Sequence, residues 1–397
     1  MGGGSRALGL GLCMALALVG TMALRIQFPA VSFYARSALG SSALDIGLLT
    51  SSFMAARATA SILVGRLYRR VEVARVLPPA CFALNAGIAY LYLYASSVWV
   101  IMGLRAVQGF LNGLAWVTVQ VALGELSPAS ARATMYTAYF SIGSLGIACA
   151  NYLYSYIAKA FPNPYDASMH VSTALFLVAA AIATPIPYPP IASRGRGVER
   201  KAVARVLALL ALLMASISVA MALPSSDVVY IYVGESMSMS RSEVATLIAS
   251  ALIVATGVGL ALSIVADRLS EGKALATISG IAVASCVAIA IPSPIAFAAA
   301  MTMLVSLARS ARSIARRVAI SRAGAMGVGI VNAAGNVGNV LGSAIVGALY
   351  DALGHSYVEL GALKLNEALA TLYVPTSAAI AASAACLARG GPRKRSS

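Results

Sequence analysis

Five arginines lie inside long apolar stretches of this sequence: Arg25, Arg57, Arg105, Arg309 and Arg312. A charged side chain at the centre of a membrane helix costs about 2.5 to 3.5 kcal/mol on insertion scales, so it usually faces a partner or a watery cavity. The guanidinium group is planar and presents paired N–H donors, which match the oxygens of carboxylate, phosphate or nitrate. These residues therefore predict a site that binds an anion.

The depth of each arginine in its predicted helix separates the five. Arg57 lies near the middle of its helix, about 14 Å from either end, at 1.5 Å per residue. Arg25 and Arg105 lie about 10 Å from one end by the same arithmetic. Arg309 and Arg312 lie within about three turns of the opposite end, where a long side chain reaches the headgroups. Arg57 is therefore the sharpest candidate for a binding role.

Two rows of amide side chains accompany the arginines. Gln108 and Asn112 fall on the same side of a helix as Arg105, because they follow it by three and seven residues. Three asparagines share a face of a later helix by the same rule. The alternative role of such amides is hydrogen bonding between packed helices. The predicted substrate-binding residues are Arg25, Arg57, Arg105, Gln108, Asn112, Asn332, Asn336 and Asn339.

Acidic residues are predicted to lie in loops or near helix ends. Asp227 comes nearest to the interior, and it is a candidate either for proton coupling or for a salt bridge to Arg25 or Arg105. A cavity with three deep arginines and no deep acid should be positively charged. The five cysteines are scattered singly and form no metal-binding pattern. Since no HExxH or GxSxG motif is present either, we expect no cofactor, no metal and no enzymatic activity.

The elements that hold these residues are predicted to be membrane-spanning helices. The chain has 397 residues, 60% hydrophobic and only 11% charged, whereas about a quarter of a soluble domain is charged. Apolar runs lie near 8–33, 44–66, 74–95, 98–122, 133–157, 169–190, 204–232, 244–266, 274–292, 295–316, 323–349 and 368–388. The fold class predicted is thus all-α, a polytopic membrane protein with 12 transmembrane helices in two pseudo-symmetric six-helix bundles.

The basic residues orient these helices. The net charge is +16, but the basic residues form short clusters between apolar runs, unlike a nucleic-acid-binding surface. With the N-terminus inside, 20 of the 29 Lys and Arg residues fall in inner loops and four in outer loops. Because cytoplasmic loops are enriched in Lys and Arg, both termini are predicted to be cytoplasmic, in a multi-pass protein of the cell membrane.

The sequence also shows signs of internal duplication. The turn GRLYRR at 65–70 has a counterpart, ADRLSEGK, at 266–273. Arg132 before the fifth predicted span likewise matches Arg322 before the eleventh. Two repeats around a central loop are typical of rocking transporters. The predicted domains are an N-terminal bundle (1–193), a cytoplasmic linker (194–202) and a C-terminal bundle (203–397).

These motifs resemble those of the major facilitator superfamily over the whole chain. The second span opens with DIGLLTSSFMAA (Asp45 to Ala56), and the fourth carries RAVQG (Arg105 to Gly109) and ends in ELSPASAR (Glu125 to Arg132). The eleventh span, Arg322 to Asp351, is similar to that of many members. The family's loop motif Gly-x-x-x-Asp-Arg-x-Gly-Arg-Lys is altered in the first half, where Arg69 replaces Asp. The second copy is closer, with Asp267 and Arg268.

The resemblance implies a cytoplasmic gate and a central solute cavity. The gate residues it implies are Gly65, Arg69, Arg70, Glu125, Arg132, Asp267, Arg268 and Arg322. The resemblance further implies a monomer that moves a small solute through the bilayer by alternating access, and the arginines favour an anionic solute. The alternative is proton-driven export of lipophilic or multidrug compounds. That alternative requires a buried acid, and the Gly-Pro antiporter signature is missing around Gly143 to Gly146.

Overall fold

A computed structural model of the protein describes residues 3–67, 71–128, 132–188, 200–268, 271–361 and 363–389. Within these ranges the helices are joined by short connections and one antiparallel hairpin, so the predicted all-α fold is confirmed. The helices are α1 (Gly3–Arg25), α2 (Gln27–Ser37), α3 (Ala43–Leu67), α4 (Val71–Leu91), α5 (Val98–Leu126), α6 (Arg132–Ala160), α7 (Pro164–Ala183), α8 (Arg200–Ala220), α9 (Ala222–Ser225), α10 (Val228–Ser236), α11 (Arg241–Arg268), α12 (Glu271–Ala288), α13 (Pro294–Leu353) and α14 (Glu367–Arg389). The hairpin pairs β1 (Tyr357–Leu360) with β2 (Leu363–Asn366).

Among the described residues, seven helical stretches are long and apolar enough to cross a membrane. They are Ser5–Ser37, Val71–Tyr94, Val98–Leu126, Pro164–Ala183, Arg241–Leu262, Pro294–Arg312 and Glu367–Cys386. A helix satisfies its own backbone N–H and C=O groups, which is what the hydrocarbon layer demands of any spanning segment. The protein is therefore a multi-pass membrane protein, while the count of twelve spans stays a prediction.

The β-hairpin marks one end of the bundle, which we call the hairpin end. Asn366 in β2 connects the segments that flank α13 there, because its backbone N–H donates to the oxygen of Ala290 before the helix (2.8 Å) and its Nδ2 to that of Gly354 after it (2.8 Å). A straight helix of 60 residues would be about 90 Å long. Helix α13 must therefore reverse its direction. The predicted spans 295–316 and 323–349 both lie within it, and the predicted break in helical structure between them is not observed.

Two predicted spans are broken by proline. The first, 8–33, divides into α1 and α2 at Ile26, and the seventh, 204–232, divides into α8, α9 and α10. A proline ring clashes with the carbonyl four residues earlier and cannot donate to it. Pro29 therefore ends α1 at Arg25, and Pro224 ends α8 at Ala220.

Glycines set the closest approaches between helices. A Cβ on Gly109 would overlap the backbone oxygen of Phe53, and one on Gly113 would lie 2.6 Å from that of Arg57, so α5 packs directly on α3. Gly338 brings α13 into similarly close contact with Ala215 of α8, and Gly342 packs on Ala222 of α9 and Val219 of α8. Both pairs have the small-xxx-small spacing that lets membrane helices touch backbone to backbone.

The helices of the first half pack mainly on one another, and so do those of the second half, with α3–α13, α6–α11 and α2–α10 joining the halves. The two-bundle domain boundaries stay a prediction. Most of the predicted linker 194–202 lies outside the described residues.

Replacing Gly109 with Val should loosen the contact between α3 and α5, because overpacking a close contact costs about 1 to 3 kcal/mol. We expect a clear fall in the unfolding temperature of detergent-purified protein. Gly103→Val is the matched control, since Gly103 lies in the same helix with no atom within 4 Å of an added Cβ. Equal unfolding temperatures for the two variants would contradict the packing described.

Candidate functional site

Both proline-broken helices carry a charged residue at the break. Arg25 is the last residue of α1, and Asp227 directly precedes α10. Pro29 and Pro224 are 195 residues apart, which matches the internal duplication. In transporters built from repeats, interrupted helices at corresponding positions mark the binding site. The two breaks therefore locate the candidate site from the backbone alone.

Asp227 is completely buried and joins four helical segments. Its Oδ1 accepts hydrogen bonds from Arg105 Nη2 (3.0 Å) and Ser32 Oγ (3.2 Å). Its Oδ2 accepts from Thr50 Oγ1 (2.7 Å), whose oxygen in turn accepts the backbone N–H of Asp227 (2.9 Å). The donors lie on α2, α3 and α5, so this carboxylate connects the second half of the chain to three helices of the first.

A shared phenylalanine ring brings two arginines together. The guanidinium carbons of Arg25 and Arg105 each lie 4.3 Å from the centroid of the Phe28 ring. Tyr92 lies on another side of Arg105, at 6.0 Å. Cations are attracted to the negative faces of such rings, most strongly where water is excluded. The rings therefore hold the two guanidinium groups in place.

Arg57 lies on the same face of α3 as Thr50, seven residues earlier, and Thr50 contacts Asp227. Its side chain is half-buried, and it interacts electrostatically with Arg25 and with Tyr139 of α6. Arg25 also interacts electrostatically with Arg105, which repels it, and with Asp227, which attracts it. We call Arg25, Arg57, Arg105 and Asp227 the arginine cluster. The structure thus brings together the three arginines predicted to bind substrate.

One expectation about this cluster was wrong. The sequence predicted no carboxylate among the deep arginines, but Asp227 is fully buried and forms an ion pair with Arg105. The nine residues of α10 place it about 14 Å from the hairpin end. The salt bridge considered for Asp227 is present, and the formal charge of the cluster is +2 instead of +3.

The amides of α5 are buried beside the cluster. Gln108 accepts a hydrogen bond from Tyr92 (3.5 Å), so it points toward the interior of the first half. Asn112 lies two turns from Arg105 on nearly the same face. Neither its Oδ1 nor its Nδ2 has a hydrogen-bond partner among the described residues, although Asn112 is completely buried. An unsatisfied buried polar group costs about 1 to 3 kcal/mol, which makes Asn112 a strong candidate for binding a polar ligand.

Two of the predicted asparagines of α13, Asn336 and Asn339, lie on the side of the helix that faces α3. Asn336 and Asn339 lie seven and four residues before Ser343, whose backbone packs on Gly47 of α3. Both are half-buried, and Asn339 Oδ1 has no partner within the described part of the chain. The side chain of Asn332 lies outside the described residues. Outside the cluster, Arg309 donates to Thr256 of α11 (3.2 Å).

The hairpin end is closed by contacts between the halves. Arg36 of α2 forms a two-pronged salt bridge to Glu235 of α10 (2.7 and 3.1 Å). Asp351 of α13 accepts the backbone N–H groups of Ala43 and Leu44 (2.7 Å each) at the start of α3. Hydroxyl pairs join α6 to α11 in the same way, through Ser155 with Ser242 and Thr246.

The structure describes little of the predicted cytoplasmic gate. Arg69 and Arg70 lie outside the described residues, and the surroundings of Gly65 and the side chains of Arg132, Asp267, Arg268 and Arg322 are not described. Glu125 is half-buried near the end of α5. The gate therefore stays a prediction.

Sequence reasoning missed the partners that complete the site. Ser32, Thr50 and Phe28 lie in apolar stretches where neither spacing nor charge distinguishes them. Gln27 was missed too; its Nε2 donates to Ser172 (2.7 Å), and its buried Oε1 has no partner among the described residues. The proline spacing was the one signal that could have located both breaks.

Comparison with known proteins places this geometry in context. Residues 12–311 match the sequence profile of the Major Facilitator Superfamily. No curated protein matches the sequence. The fold is similar to that of the nucleoside transporter NupG, in a mutant form, with a TM-score of 0.73 and 12% identity over 97% of this chain and 100% of the other. It is also similar to a bacterial homolog of the human lysosomal transporter Spinster, inward-facing and occupied, with a TM-score of 0.71 and 13% identity over 98% and 96% of the chains.

Replacing Arg105 with Met should destabilise the protein strongly, since removing one partner of a buried ion pair costs about 3 to 5 kcal/mol. Adding Asp227→Asn should recover part of that loss, because no carboxylate is then left without its counter-ion. Arg36→Met is the control, as its salt bridge is partly exposed and such pairs contribute about 0 to 1 kcal/mol. The unfolding temperatures of the parent protein, the two single variants and the double variant are measured in detergent. A double variant less stable than Arg105→Met would contradict the pairing.

Proposed function

Because the chain belongs to the Major Facilitator Superfamily, we propose that this transporter carries a small anion across the membrane by alternating access. The observation that supports an anion most directly is the arginine cluster, which holds three arginines and one acid, with Asp227 paired to Arg105 and Arg57 next to Arg25. Guanidinium groups bind carboxylate, phosphate and nitrate oxygens in fixed geometry. A solute of opposite charge would offset the formal charge of +2 that the cluster carries.

The helix breaks support the same location for the solute. Arg25 is the last residue of α1 and Asp227 directly precedes α10, and interrupted helices of this kind present backbone groups as well as side chains to a ligand. Asn112 adds an amide whose donor and acceptor are both unused among the described residues. The proposed site therefore offers guanidinium donors and an amide, with Phe28 and Tyr92 as apolar walls.

The closed hairpin end indicates which side has access in this conformation. Arg36, Asp351 and Ser155 hold the halves together at that end, so under alternating access the site would open toward the opposite end. The distribution of Lys and Arg predicts that the opposite end is cytoplasmic. On that orientation the conformation is inward-facing, as is that of the Spinster homolog.

The anion proposal is tested first by a thermal-shift screen of purified protein against acetate, nitrate, inorganic phosphate and a set of lipophilic cations. A ligand raises the unfolding temperature in proportion to its binding free energy. The anion that binds is then used for uptake into proteoliposomes. We expect Arg57→Gln to reduce uptake at least about tenfold, the equivalent of 1.4 kcal/mol.

Arg6→Gln is the matched control for this experiment, because it removes the same charge from an exposed position of α1. It should leave uptake within about twofold of the parent, since surface substitutions usually change free energies by less than about 0.5 kcal/mol. If Arg57→Gln carries the anion as well as the parent does, the proposed site is incorrect.

The orientation of the protein has its own test. Lys364 lies in β2 at the hairpin end, where the charge distribution predicts an outer loop. A cysteine in place of Lys364 should react with a membrane-impermeant maleimide on intact cells, whereas one in place of Arg6 should react only after permeabilisation. Labelling in the reverse order would invert the proposed topology.

One observation favours a second candidate, proton-driven export of lipophilic compounds. Such export needs an acid within the spanning region, and Asp227 provides one. Stabilisation by lipophilic cations alone in the same thermal-shift screen would favour this candidate over the anion carrier.

A further inference from the structure

The carboxylate of Asp227 holds the hairpin end closed through groups that all belong to the other half of the chain. Arg105, Ser32 and Thr50 are its three side-chain donors, and they lie on three different helices of the first half. Opening the hairpin end means moving α10 away from α2 and α3. Every one of these hydrogen bonds would then break together.

Separation would leave Arg105 without its counter-ion. The residue is completely buried, with the rings of Phe28 and Tyr92 4.3 and 6.0 Å from its guanidinium carbon. An isolated charge in such surroundings is expensive, and losing one partner of a buried pair costs about 3 to 5 kcal/mol. The open state therefore needs another anion at Arg105.

Arg105 keeps donors free for that anion. Only its Nη2 contacts Asp227, whereas its Nε and Nη1 are buried and have no hydrogen-bond partner among the described residues. A carboxylate or phosphate that binds with two oxygens makes two parallel hydrogen bonds to a guanidinium group. The contact through a single Asp227 oxygen is weaker than that, so an incoming solute has an advantage over Asp227.

We propose that Asp227 occupies on Arg105 the place that the anionic group of the solute takes when the hairpin end opens. Asp227 thus stabilises the closed hairpin end and competes with the solute for binding to Arg105. This inference rests on the proposed anion transport. It explains how binding and opening are linked, since a ligand shifts a conformational equilibrium only by binding one state more tightly.

The inference is tested by the accessibility of a cysteine at the closed end. Ser343 is completely buried against Gly47 of α3, and its Oγ has no partner in the described part of the chain, so Ser343→Cys removes no observed bond. The two exposed native cysteines, Cys149 and Cys386, are first replaced by Ser. The rate at which a water-soluble maleimide modifies position 343 then reports opening.

We expect Asp227→Asn to raise this rate at least about tenfold without any added anion, which corresponds to 1.4 kcal/mol. In protein with Asp227 intact, acetate, nitrate or inorganic phosphate should raise the rate with a saturable dependence on concentration. The half-saturating concentration should fall in Asp227→Asn, because the competing carboxylate is absent. Thr50→Val serves as a milder second variant, since it removes one donor to Asp227 but keeps the ion pair, and it should shift both quantities in the same direction.

Asp351→Asn provides the matched control. Asp351 also joins the halves at the hairpin end, so its loss should raise the labelling rate. The bonds described for Asp351 go to the start of α3 and not to Arg105. In Asp351→Asn, the fold-change in half-saturating anion concentration should therefore be no larger than the fold-change in labelling rate without anion. In Asp227→Asn, the fold-change in half-saturating anion concentration should be larger than the fold-change in labelling rate without anion.

The outcomes separate this inference from the proposed function. If the oxyanions act on the parent but Asp227→Asn leaves their half-saturating concentration unchanged, the competition is refuted while anion transport stands. If no oxyanion changes labelling in any variant, anion binding itself fails and the inference falls with it. An unchanged labelling rate in both Asp227→Asn and Thr50→Val would show that Asp227 does not hold the hairpin end closed.

Discussion

A buried ion pair between the two halves of the chain, Arg105 with Asp227, is the interaction on which the site and its surroundings depend. A lone guanidinium or carboxylate is costly in an apolar interior, so each residue requires the other while both are buried. Arg105 lies in α5 and Asp227 precedes α10, which means that this requirement is met only when the halves are together at the hairpin end. The electrostatics of one pair is therefore tied to the relative position of whole helices.

Prolines and glycines give these charges their positions. Pro29 and Pro224 interrupt helices that would otherwise continue, and the interruptions leave Arg25 and Asp227 at helix ends in opposite halves, where they interact electrostatically. Glycines, in contrast, allow helices to pack closely. Helices α3 and α13 come into backbone contact because Gly47 and Gly347 lack a Cβ. A charged cluster can be closed off at one end because the backbones there are in direct contact.

Much of this could be predicted from the sequence. The membrane helices follow from apolar runs of sufficient length, and the expectation that Arg25, Arg57 and Arg105 turn toward the interior follows from the cost of a charge within such runs. The salt bridge from Asp227 to Arg105 was one of two pairings considered, but the hydroxyl partners of Asp227 could not be predicted. In the sequence Ser32 and Thr50 look like ordinary helix residues. Their partner Asp227 lies 195 residues after Ser32 and 177 residues after Thr50. Hydrogen bonds at that separation depend on the packing of helices, and no local pattern encodes it.

The sequence by itself determined that the chain crosses a membrane many times, belongs with the transporters it resembles, and carries several arginines within its apolar runs. These properties depend on the hydrophobicity and spacing of neighbouring residues, which local sequence records directly. Only the tertiary structure decided that Asp227 is buried among those arginines, that it neutralises Arg105, and that one end of the bundle is closed. Each of these depends on which groups of distant helices come within about 3 Å of one another, the reach of a hydrogen bond.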